Sequence, residues 1–125
     1  MTKESFFLLF ISAGVFPAAL GYGLNPKEFL PILYGIEVEN TNLSNIFRAV
    51  MGLYIGCVLF WVIGAFIKSL TMPALWCMFV FMLGIGLGRA LSMALDGMPD
   101  MIFVFFMIFE FIAAGITFFL LKTKA

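Results

Sequence analysis

Uncharged apolar residues fall into four long runs along the chain, 6–24, 47–67, 74–95 and 101–121, with polar and turn-forming residues between them. Each run has about the ~20 residues that a helix needs to cross the hydrocarbon core of a bilayer. Apolar positions go round every side of a 3.6-residue period, as they do in a helix whose solvent is lipid. The runs predict an all-α fold: an integral membrane bundle of four transmembrane helices, forming one domain over residues 1–125.

Breakers stand where the spans should end. Gly21 and Gly23 close the first run, and Asn25-Pro26 follows. Pro73 sits just before the third, where a missing N–H costs little. The DGMPD sequence at 96–100 reads as a tight turn. Pro17, inside the first run, predicts a kink and a freed Ala13 carbonyl. A signal-peptide cleavage site could be read at PAALG, but the apolar stretch continues to the length of a full span and is expected to stay as one.

The connection at 25–45 has its own pattern. Asn25-Pro26-Lys27-Glu28 places an N-cap, a proline at the first helical position and an early acid in order. Phe29, Leu33 and Ile36 then share a face, and Gly35 stands near the end. This reads either as a short interfacial helix or as a loop packed across the mouth of the bundle. Thr41, Asn42 and Ser44 are candidate caps for the second span.

Composition agrees with a lipid environment. The chain is 64% hydrophobic and 11% charged, with 17 phenylalanines and a mean hydropathy of +1.16. A water-soluble domain of this size has too little interior to hide so much apolar surface. The zero net charge offers no basic patch for nucleic acid. Histidine is absent, which removes the commonest general base, zinc ligand and haem ligand together. No metal-ligand spacing exists, and no cofactor is expected. Cys57 and Cys77 read as small apolar packing residues; run boundaries put them roughly 12 Å apart in depth, beyond disulfide reach.

The lysines give an orientation. With the N terminus inside, Lys3, Lys68, Lys122 and Lys124 lie on the cytoplasmic side, against Lys27 and the nearby Arg48 on the other. The positive-inside rule then predicts a multi-pass protein of the cell (inner) membrane with both termini cytoplasmic. Trp76 and Tyr22 read as anchors at the two interfaces.

Three charged residues lie in the runs: Arg48, Arg89 and Glu110. A charge at the bilayer centre costs roughly 2.5–3.5 kcal/mol on insertion scales, so these side chains should face one another inside the bundle. Arg89 and Glu110 have similar depth, and helical side chains lean toward their own N terminus, so the two converge from antiparallel helices. Ser92 and Asp96 lie on the Arg89 side of the third helix. Arg48 is expected to meet Asp96 nearer the surface, with Tyr54 lining the space below. Small-residue pairs on the same helices, Gly52–Gly56 and Gly84–Gly88, and Ala113, Ala114 and Thr117 beyond Glu110, would let backbones come close.

The stretches FRAVMGLYIG at 47–56 and GLGRALSMALDGMPD at 86–100, together with Glu110, resemble a bacterial family of small four-helix membrane proteins catalogued only as a domain of unknown function. The resemblance runs over nearly the whole chain. Its most specific part is the third-span pattern carried here by Gly88, Arg89, Ser92, Asp96, Gly97 and Pro99. It implies a four-span fold and brings no activity with it.

Two readings of the charged residues stay open at this point. Arg48, Tyr54, Arg89, Ser92, Asp96 and Glu110 form either a polar clasp that fixes helix register or a site for a small polar or amphiphilic ligand. The second makes the chain a non-enzymatic ligand-binding, transport-related or accessory subunit, with a membrane-protein partner or a second copy as candidate company in the bilayer. The alternative is a membrane-embedded proton-transfer enzyme of isomerase type, with Glu110 as acid or base and Arg89 as its anion partner.

Overall fold

The computed structural model describes residues 1–124. The described residues form α1 (Lys3–Gly23), α2 (Pro26–Tyr34), α3 (Thr41–Phe66), a single 3₁₀ turn (Lys68–Leu70), α4 (Thr71–Asp96) and α5 (Met101–Lys124), with no strand among them. Four helices are long and apolar enough to cross a membrane: α1, α3, α4 with its preceding 3₁₀ turn, and α5. The fold is an all-α four-helix bundle with a short fifth helix at one end.

Local chemistry sets the boundaries. Thr2 caps α1, its side chain accepting from the Ser5 N–H at 3.1 Å. Asn40, not one of the three later candidates, caps α3 by accepting from the Leu43 N–H at 3.0 Å. The cap captures an orphan donor of the first turn and starts the helix six residues before the apolar run. Pro17 lies within α1, which is helical through it.

The connection at 25–45 does form a helix. Pro26 occupies its first turn, and Gly35 ends it at φ +67°, a left-handed conformation that suits glycine. Its buried face is Pro26, Leu30 and Tyr34, while Ile32 and Leu33 are exposed. The face expected from Phe29, Leu33 and Ile36 is therefore rotated. Asn25 makes no side-chain cap bond and donates instead to Glu28 Oε2 at 3.1 Å.

α1 packs on α3, α3 on α4 and α4 on α5, while the backbones of α1 and α5 stay apart. The core runs through Leu8, Ile11 and Val15 of α1, Val58 and Trp61 of α3, Leu75, Met78 and Met82 of α4, and Ala113 and Leu121 of α5. Close approach occurs at Gly23, where a Cβ would strike Met51 and the Phe47 carbonyl, and at Gly64, where it would strike Ala74 and the Leu70 carbonyl. Thr71 ties that second contact by donating to the Gly64 carbonyl at 2.6 Å. Gly52, Gly56, Gly84 and Gly88 have open space where a Cβ would go, so the two glycine pairs do not bring these helices together.

The cysteines differ less in depth than the run boundaries predict. Cys57 and Cys77 are both free cysteines, and they are neighbours across α3 and α4. α4 begins at Thr71, a turn before the apolar run does. At ~1.5 Å per residue this leaves Cys57 about 13 Å and Cys77 about 9 Å from the connection joining their helices, a far smaller gap in depth than the runs imply.

Candidate functional site

Arg89 projects from α4 and Glu110 from α5, about 10 Å and about 14 Å from the turn that joins those helices, at ~1.5 Å per residue. Arg89 Nε donates to both carboxylate oxygens of Glu110, at 2.9 Å to Oε1 and 3.2 Å to Oε2. Its Nη2 donates to the Tyr22 hydroxyl of α1 at 3.3 Å. Nη1 has no hydrogen-bond partner among the described residues. The two side chains are 19% and 10% exposed, so the pair is largely withdrawn from its surroundings without being sealed.

Aromatic rings surround the guanidinium. Its central carbon lies 5.4 Å from the Phe106 ring centroid and 5.9 Å from that of Phe103, positions in which the ring faces attract a cation. Tyr34 of α2 packs on the same two rings and on Tyr22, so α2 covers this end of the bundle. Burial, with Tyr22 adding to it, raises the Tyr34 hydroxyl above its ordinary pKa and keeps it a neutral group. Tyr54 of α3 meets Tyr22 edge-on and continues to Phe81 of α4.

The structure separates the expected site into parts. Arg89 and Glu110 come together, and Tyr54 lines the space beside them. Arg48 does not meet Asp96. Its Nη1 donates to the Gly23 and Leu24 carbonyls at 3.0 and 3.1 Å. Glycine at position 23 lets the end of α1 lie against α3 here, and the orphan carbonyls of a helix C terminus attract a cation. Asp96 instead accepts from Ser92 Oγ one turn back, at 2.9 Å, in an exposed pair.

Tyr22 belongs to the site, although its position near the end of the first run suggests an interface anchor. It is only 7% exposed. The buried positions of α1 include Leu8, Ile11, Val15, Ala19 and Tyr22, a three-and-four spacing that marks one helix face. That spacing was the available signal, masked because the rest of α1 is equally apolar.

Two cavities share Arg89 in their walls. One, of about 300 Å³, runs between α1 and α5 and is lined by Gly14, Ala18, Met82, Phe105 and Phe109, with Tyr22, Arg89 and Glu110 also in its wall. The other, of about 460 Å³, lies between α3 and α4 toward α2 and includes Phe47, Val50, Gly88 and Ser92. Tyr22, Tyr54 and Arg89 border both. Among the described residues, no three His, Cys, Asp or Glu side chains gather as a metal site requires.

A family model described as Domain of unknown function (DUF4345) matches residues 4–121. No curated protein and no solved structure matches the chain.

Proposed function

The chain belongs to the family of domains of unknown function designated DUF4345, and on that premise we propose that it is a ligand-binding, non-enzymatic multi-pass membrane protein. One four-span unit over residues 1–125 holds a small polar or amphiphilic molecule at Arg89. The observation that carries the reading is Arg89 itself. Its guanidinium keeps Nη1 without a hydrogen-bond partner among the described residues, and the residue lines two neighbouring cavities. An ion pair needed only for stability is a poor choice here, since apolar packing of the same volume serves as well or better. A pair with a spare donor beside open space suits recognition.

The lysine distribution supports a placement in the cell (inner) membrane with both termini cytoplasmic, so the Arg89 site opens toward the outer side. Reporter fusions after residue 125 and within 37–42 test this: the first should report from the cytoplasm and the second from outside. The reverse pair of signals contradicts the topology.

Binding is tested by purifying the full chain gently, extracting it with organic solvent and identifying what came with it by mass spectrometry. The unaltered chain should carry one molecule that Arg89→Gln lacks. The same extract from both defeats the proposal.

A further inference from the structure

We infer that the molecule held at Arg89 is an uncharged lipid whose hydrocarbon chain lies in the cleft between α1 and α5 and whose head oxygen accepts a hydrogen bond from the guanidinium. This rests on the reading of Arg89 as a ligand-binding residue and adds the ligand's class and its route of entry.

Shape comes first. The α1 wall of the cleft carries two small residues, Gly14 and Ala18, beside Val15 and Tyr22 and opposite Phe105 and Phe109 of α5. A Cβ on Gly14 would meet the Phe109 ring at ordinary contact distance, 4.0 Å, so that side chain stands at the mouth of the cleft and has to turn aside to admit a chain. Phe105 and Phe109 are 63% and 39% exposed, which places apolar lips on the outside of the bundle where lipid would lie. The route of entry is then sideways from the bilayer between α1 and α5, which meet here through the Phe109 ring rather than backbone to backbone.

Polarity and depth agree with shape. The cleft wall is apolar apart from Tyr22, Tyr54, Arg89 and Glu110, the last two being the charged groups. Arg89 lies about 10 Å and Met82 about 21 Å from the end of α4, at ~1.5 Å per residue. α4, with 26 residues, is about 39 Å long at ~1.5 Å per residue. A hydrocarbon core of about 30 Å centred on it has its midplane about 19–20 Å from that end, so the cleft lies largely within one leaflet. A lipid of that leaflet would have its head at the level of Arg89 and its chain alongside Met82.

Charge then selects the head. Arg89 and Glu110 already neutralise one another. An anionic head would add an unbalanced charge in a low-dielectric site and compete with Glu110 for Arg89; a cationic head would face the guanidinium. A carbonyl, ester or hydroxyl oxygen accepts from Nη1 and leaves the balance unchanged.

The test uses the full chain in detergent, incubated separately with 1-monooleoylglycerol, oleate and oleylamine, and read by native mass spectrometry. One equivalent of monooleoylglycerol should bind, with oleate and oleylamine at least tenfold weaker. The double substitution Gly14→Leu with Ala18→Leu fills the cleft and leaves the ion pair alone; it should reduce monooleoylglycerol binding at least tenfold. A diazirine carried on the oleoyl chain provides a readout that needs no variant, and should label the α1 and α5 segments around Gly14 and Phe109. Binding of oleate or oleylamine as tight as that of monooleoylglycerol overturns the inference, as does labelling confined to α3 and α4, or no binding of any probe. If a charged probe wins but is lost in Arg89→Gln, the class of ligand is wrong and the Arg89 reading stands. If binding of the favoured probe ignores Arg89→Gln, both fall.

Discussion

At the scale of single residues, the chemistry turns on how one guanidinium is divided. Nε serves Glu110 and Nη2 serves Tyr22, so removing either partner has a distinct cost. Glu110→Gln or Arg89→Gln leaves one charge stranded and should destabilise the bundle by roughly 3–5 kcal/mol, as breaking a buried pair does. The double substitution should recover much of that loss, giving a strong coupling in a double-mutant cycle read by thermal unfolding. Simple additivity of the two losses argues against the pair. Tyr22→Phe keeps the ring contacts with Tyr34, Phe47 and Tyr54 and deletes only the hydroxyl. It should cost about 1 kcal/mol, typical of a hydrogen bond inside a membrane bundle; an undiminished melting temperature would remove Tyr22 from the network. The convergence of Arg89 and Glu110 was readable from their depths and antiparallel helices. The isolation of Arg48 was not, because nothing in the sequence says that Gly23 brings the carbonyl end of α1 within its reach.

At the scale of helices, glycines divide into those that hold a contact and those that face open space. Gly23 and Gly64 are of the first kind, Gly52 and Gly56 of the second. Spacing four residues apart picked out Gly52–Gly56 and Gly84–Gly88, yet it cannot tell which side of an all-apolar helix meets a neighbour. Gly23→Ala should therefore cost about 1–3 kcal/mol through overpacking against α3. Gly52→Ala should be neutral or stabilise by up to about 1 kcal/mol through helix propensity alone. Thermal unfolding of the two variants side by side decides this, and equal effects would contradict the packing of α1 on α3. The same limit explains the rotated face of α2. Its residues are apolar on more than one side, so periodicity alone did not choose Leu30 and Tyr34 over Phe29 and Leu33.

For the whole molecule, four spans were legible because length and the absence of charge are sufficient signals for a helix in lipid. Their ends were legible to within two turns: the Asn40 cap starts α3 six residues before its apolar run, and α4 starts three residues before its own, the second shift bringing Cys77 closer in depth to Cys57. The arrangement of the helices was not legible, since helices apolar all round carry no stripe to show which face is inside. That arrangement leaves the backbones of α1 and α5 apart and puts Arg89 in the walls of two cavities. The central claim is that Arg89 serves a ligand and is not merely a clasp, and the double variant Arg89→Gln with Glu110→Gln separates the two roles. Native mass spectrometry of that variant beside the unaltered chain, both checked for folding by their melting temperatures, is the most direct measurement. The expected result is a folded double variant that has lost a bound mass present on the unaltered chain. A double variant that keeps the same bound mass, or an unaltered chain that carries none, would contradict the account.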